Sequence, residues 1–195
     1  MEQLVTRVIA WNAARYPQQS NTALTLALLG EELDELYLAT NKVEALDAIG
    51  DILFVAIGAL WKIGCSAESI SRVITMIFLS GQDSKDLARS ASHSISELLN
   101  ANGLVLFANK DDIILITSII SYLHLVLYPC LVAIGRLSMV ETILDAICTS
   151  NETKSIPGEL TDPSIKANSG ASGKGPNYVS PKIALIAISD MPKDE

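Results

Sequence analysis

The sequence predicts an all-α helical bundle, and three observations carry that expectation. Apolar residues recur at helical spacing along most of the chain. The composition is 49% hydrophobic, 18% charged and only 5% aromatic, with alanine, leucine and isoleucine dominant. Short polar breaks such as Tyr16-Pro17-Gln18-Gln19-Ser20-Asn21 and Asn41-Lys42 interrupt the pattern where helices would turn. A chain of 195 residues is long enough for one good core or two small ones.

Residues 2–15 predict a first helix with Leu4, Val5, Val8, Ile9 and Trp11 as apolar positions. Pro17 stops it, and Ser20 or Asn21 can cap a second helix over 22–40. A third runs over 43–63 and ends near Gly64, and a fourth covers 66–79. After a break at 80–84, a helix is expected over 84–101, followed by Asn102-Gly103 and a short segment to Asn109. Residues 113–135 are apolar throughout and carry no charge, so their length meets the criterion for a membrane span. A strong basic flank is missing: Lys110 is followed at once by Asp111 and Asp112, and Arg136 stands alone. The reading adopted is a central bundle helix, buried all round and kinked at Pro129, with a membrane-embedded protein as the competitor. Residues 139–148 close the helical part. A Pro-, Gly- and Ser-rich loop follows Lys154, and the apolar, β-branched run over 182–189 reads as a short strand or arm that docks on the bundle or a partner subunit.

Internal duplication is suggested by Val55-Ala56-Ile57-Gly58 recurring as Val132-Ala133-Ile134-Gly135. The expected organisation is a catalytic helical half over 1–80, a second and degenerate half over 81–154, and a tail over 155–195. His124 then falls near the counterpart of Asp51, and a core histidine is the expected role.

Net charge is −8, which argues against a nucleic-acid polymer as partner but leaves room for a single nucleotide. Cys65, Cys130 and Cys148 stand far apart without CxxC spacing, as reduced thiols of a cytoplasmic protein do. The acidic start Met1-Glu2-Gln3 does not read as a signal peptide.

The chemistry concentrates between Glu31 and Asp51. At about 100° per residue, Glu31, Glu32 and Glu35 share one sector with Leu24, Leu28 and Leu38. On the next helix Glu44, Asp47 and Asp51 share a face with Phe54, Val55 and Gly58. The acids thus lie on the stripes expected to face the core. Two helices joined by a short turn pack antiparallel and bring these sectors together. Clustered carboxylates without Lys or Arg among them suit a hard divalent cation, Mg²⁺ or Mn²⁺. The alternative is an acidic, solvated hairpin.

Glu31-Glu32-x-x-Glu35 followed by Asp47-x-x-Gly50-Asp51-x-Leu53-Phe54-Val55 resembles the all-α NTP pyrophosphohydrolases, the MazG-like enzymes with dimeric dUTPases and phosphoribosyl-ATP pyrophosphohydrolases among their relatives. Trp11-Asn12-Ala13-Ala14-Arg15 resembles a further family element. Ser150-Asn151-x-x-Lys154 and Lys174-Gly175-Pro176-Asn177-Tyr178 resemble C-terminal elements of MazG-like proteins. The chain departs at Leu28, where the family often has Lys, and at Ala48, where one version of the motif has Glu. Asp47, four residues before Asp51, is the expected substitute for the latter. The resemblance implies a MazG-like bundle and a homo-oligomer, expected to be a dimer. It also implies Mg²⁺-dependent conversion of an NTP or dNTP to a monophosphate and pyrophosphate. Glu32, Glu35 and Asp51 are the expected metal ligands. Glu31 and Asp47 follow, one of them to orient a water. Lys154, Lys174, Asn151, Asn177 and Tyr178 are expected on the substrate, and Trp11 either stacks on a base or fills the core. A nucleotide-binding or assembly protein without catalysis stays open, because of Leu28 and Ala48. His93 and His124 have no catalytic motif around them.

Overall fold

The computed structural model describes residues 1–79, 87–101, 109–154, 174 and 177–194. The expected breaks at 80–84 and 102–108 and the loop over 155–173 lie outside the described residues. Helices account for the regular structure, and no strand occurs among the described residues. They are α1 (Glu2–Ala13), α2 (Thr22–Leu38), α3 (Lys42–Ile63), α4 (Ala67–Phe78), α5 (Leu87–Ala101), α6 (Lys110–Tyr122), α7 (Tyr128–Ile134), α8 (Val140–Glu152) and α9 (Lys182–Asp190). A π-helical turn (Leu123–Leu127) joins α6 to α7, and a 3-10 turn (Leu137–Met139) leads into α8.

Local chemistry sets the helix ends. The side chains of Asn21, Asn41, Ser66 and Asn109 accept from the amides of Leu24, Glu44, Ser69 and Asp112, the N-cap arrangement. Gly64 (φ 106°) and Gly135 (φ 65°) close α3 and α7 in the left-handed region, where a side chain is strained. Burial supplies the rest. α4 buries Ile70, Val73, Ile74, Ile77 and Phe78 on one stripe, each worth roughly 1.5–3 kcal/mol. α8 does the same with Val140, Ile143, Leu144, Ile147 and Cys148.

α3 is the central helix. It packs against α2, α8, α9, α1, α4 and α6. Gly50 lets α8 come close: a Cβ there would overlap the Ile147 side chain. Arg7 pins α1 to α8, with its Nε 2.8 Å from Glu152 and a second ion pair to Asp145.

Two expectations are corrected. The run over 182–189 is neither strand nor extended arm but the helix α9, which buries Leu185 and Ile188 against the bundle. Its C-terminal end is held by Arg136, which is buried and donates to the carbonyls of Ile188, Ser189, Met191 and Pro192. A cation at the end of the dipole and filled acceptors favour a helix over a strand. The apolar run over 113–135 is not buried all round. Leu115, Ile116, Ile119, Ile120, Leu123, Leu127 and Leu131 face the core, while Ile114, Leu125 and Val132 are 44%, 56% and 51% exposed. By length and composition Lys110–Ile134 could cross a membrane, but one face of it packs on the bundle. The π turn precedes Pro129, which cannot donate to the helical ladder, and absorbs the mismatch.

The repeated Val-Ala-Ile-Gly runs occupy different settings. Gly58 is mid-helix against Asn12, whereas Gly135 is a left-handed helix end. His124 is fully buried, with Nε2 3.1 Å from the Ser94 hydroxyl oxygen, and burial lowers its pKa to about 4.

Candidate active site

A cavity of about 270 Å³ opens between α1, α2, α3 and the C-terminal end of α8. Trp11 and Asn12 of α1 line it, with Tyr16 just beyond that helix. α2 contributes Leu24, Thr25, Leu28 and Glu32. Asp51, Phe54, Val55, Gly58, Ala59 and Lys62 come from α3, and Asn151 and Lys154 complete the wall. Asp51, Val55, Gly58 and Lys62 are one turn apart in succession, so a single stripe of α3 forms the floor.

One end is aromatic and amide-bearing. Trp11 meets Phe54 edge-on at 5.1 Å between centroids and Tyr16 at 6.0 Å. Its indole N–H donates to the Asn151 carbonyl at 2.7 Å, so Trp11 is a half-buried wall fixed by packing and a hydrogen bond. Asn12 is buried and donates through Nδ2 to the Val8 carbonyl at 2.9 Å. Gly58 lies against that amide: a Cβ there would come within 2.8 Å of Nδ2 and 2.9 Å of Oδ1. Lys62 Nζ sits 4.7 Å above the Tyr16 ring, and burial lowers its pKa.

The other end is acidic. Burial, and then the charges of Asp51 and Glu35, push Glu32 up to about 8. Burial and Asp47 raise Asp51 to about 6. Asp47 is raised by burial and by Glu35. Lys154 opposes all three shifts, while Lys174 opposes those of Asp47 and Asp51. These carboxyl groups hold their protons to higher pH because they are buried and lie close to one another, a condition that a hard divalent ion would relieve. In chemistry the set fits Mg²⁺ or Mn²⁺. Among the described residues, however, no three acidic, histidine or cysteine side chains converge closely enough to enclose an ion. Glu32, Glu35 and Asp51, the expected ligands, share an electrostatic field rather than a closed cage.

The stripe on α2 is corrected. Its buried residues are Thr25 and Leu29, whereas Leu24, Leu28 and Leu38 are 50%, 38% and 70% exposed. The acidic sector of α2 therefore borders the cavity and the outside instead of the core. Glu31 and Glu35 are exposed and only Glu32 lines the cavity. Glu44 leaves the cluster: it accepts from the Thr40 amide at 2.7 Å and closes the start of α3. Position 48, where the family motif can carry Glu, faces the core as Ala48.

Of the expected substrate residues, Trp11, Asn151 and Lys154 line the cavity. Lys174, Asn177 and Tyr178 do not. Lys174 Nζ is 5.1 Å from the Tyr178 ring centroid, and the Tyr178 oxygen accepts from Ser150 at 3.3 Å. Tyr16, Thr25 and Lys62 are not among the expected site residues, and Asn12 is expected only as part of the Trp11–Arg15 element. For Lys62 the signal was there, three helical turns beyond Asp51 on the same stripe. Lys182, at the start of α9, also faces Asp47 electrostatically and was not foreseen.

The acidic helices α2 and α3 thus border a pocket with an aromatic far end, within an all-α bundle. Residues 4–76 match the model of the family "Phosphoribosyl-ATP pyrophosphohydrolase". That match covers most of α1 to α4, including both acidic helices, and supports for this part of the chain the all-helical, MazG-like fold expected from the motifs. No curated protein and no solved structure matches the chain.

Proposed function

We propose that this protein is a Mg²⁺-dependent nucleoside triphosphate pyrophosphohydrolase that converts an NTP or dNTP to its monophosphate and pyrophosphate. The observation that carries the reading is a single cavity joining an aromatic, amide-bearing end to mutually repelling carboxylates. The base lies against Trp11 and Phe54, where the amides of Asn12 and Asn151 can hydrogen-bond its edge. The phosphates lie toward Glu32 and Asp51. These two, with Glu35 and Asp47 beside them, would hold the cation. When bound, the cation supplies charge neutralisation and a more acidic water. Lys154 and Lys174 bring positive charge to the acidic end of the site, and Asp47 or Glu31 orients the attacking water toward the α–β anhydride. The reading includes a cytoplasmic homo-oligomer without nucleic-acid or membrane partners.

A second reading, a nucleotide binder without turnover, is favoured by Leu28, which presents an apolar wall to the cavity where the family often has Lys. A screen of all natural NTPs and dNTPs, with phosphoribosyl-ATP included, separates the two. Pyrophosphate release with Mg²⁺ that EDTA abolishes is expected for at least one triphosphate. Tight nucleotide binding without release from any of them would establish the second reading.

A further inference from the structure

The C-terminal end of α8 is where the bundle presents Lys154 to the cavity, and it is held by two side chains from the opposite end of the sequence. Trp11 Nε1 donates to the Asn151 carbonyl at 2.7 Å. Arg15 Nη2 donates to the Lys154 carbonyl at 2.9 Å, and its guanidinium carbon lies 4.3 Å from the Trp11 ring centroid. A further bond from Nη1 returns to the Trp11 carbonyl at 3.3 Å. The planar guanidinium therefore does two things at once. It lies over the indole that fixes residue 151, and its two terminal nitrogens bridge the carbonyls of Trp11 and Lys154. The C-terminal segment hangs from the same turn, because the Val179 amide donates to the Thr153 hydroxyl at 2.8 Å.

We propose that Arg15 is a positioning residue for phosphate binding: with Trp11 it latches the end of α8 so that the Lys154 ammonium is held over the acidic hairpin. Arg15 touches no substrate in this account and acts through the backbone of Lys154. The inference rests on the proposed role of Lys154 toward the triphosphate. Without the latch, the last turn of α8 frays as helix ends do, and a flexible lysine delivers its charge to the phosphates only part of the time.

Inorganic tripolyphosphate with Mg²⁺ is the probe, since it has no base and reports the phosphate end alone. Its inhibition constant against the nucleotide identified by the screen should rise about tenfold in Arg15→Met, a change of about 1.4 kcal/mol. Arg15→Lys should behave like Arg15→Met, because lysine keeps the charge but not the plane and fork. Lys154→Ala should weaken tripolyphosphate similarly, and the double variant should be no worse than Lys154→Ala alone. Thermal unfolding of each variant, run alongside, reports any purely structural loss. If Arg15→Lys retains normal inhibition, Arg15 acts as a charge and the positioning role is overturned. If Arg15→Met lowers the melting temperature but leaves the inhibition constant unchanged, or if the two substitutions add, the latch is structural only and the proposal fails. A Lys154→Ala variant with undiminished inhibition would instead remove the phosphate role of Lys154, and the proposal would fall with it.

Discussion

His124 shows how one side chain ties stability to pH. Its ring is fully buried, with Ser94 as its hydrogen-bond partner and a pKa lowered to about 4. An exposed histidine in the unfolded chain takes up its proton near pH 6.5. Below that pH the unfolded state binds a proton that the folded state refuses, so stability falls as pH drops from about 6.5 to about 4. The loss totals about 3 kcal/mol, at roughly 1.4 kcal/mol per pH unit. Glu32 pulls the other way in part of this range, because its raised pKa favours the folded state at lower pH. The comparison that isolates His124 is therefore with His124→Gln, which keeps a polar partner for Ser94 and cannot titrate. The wild type should lose melting temperature more steeply than the variant between pH 6.5 and 4. Equal slopes would mean that His124 is protonated while folded.

At the scale of elements, the close approach of α3 and α8 fixes where the acids stand. Gly50 lies between Asp47 and Asp51, on the side of α3 that meets Ile143 and Ile147. Gly50→Ala should force that contact apart and destabilise the protein by about 1–3 kcal/mol. Gly30, inside α2, is the control, since a Cβ added there would meet nothing within 4 Å. Gly30→Ala should stabilise by about 0.4–1 kcal/mol, through helix propensity and a less flexible unfolded chain. Denaturant midpoints measure both, and a destabilising Gly30→Ala or a neutral Gly50→Ala would contradict the packing. Helix positions were largely legible in the sequence, because helical periodicity, polar breaks and a cap such as Asn21 are local signals. α9 was not. Its apolar, β-branched run suits a strand equally well, and the choice is made by Arg136, which no local pattern connects to residues 188–192.

For the whole molecule, the acidic half of the site was legible and the rest much less so. Glu32, Asp47 and Asp51 were found from helical geometry and motif, and burial and mutual repulsion do act on them. The α2 leucines suggested a core face that the fold does not give them. Periodicity reveals which residues share a stripe but not whether a neighbouring helix covers it. The roles of Asn12 and Gly58 depend on α1 lying across α3, and that of Arg15 on a contact with the end of α8, about 140 residues away in sequence. The central claim is that the acidic hairpin supports metal-dependent pyrophosphate release. The most direct measurement compares wild type with Glu32→Gln and Asp51→Asn, each first shown to be folded by its thermal transition. Turnover should fall by about two to four orders of magnitude in both, at any Mg²⁺ concentration, with the transition temperature unchanged or raised because like-charge repulsion is relieved. Undiminished pyrophosphate release in both folded variants would contradict the account.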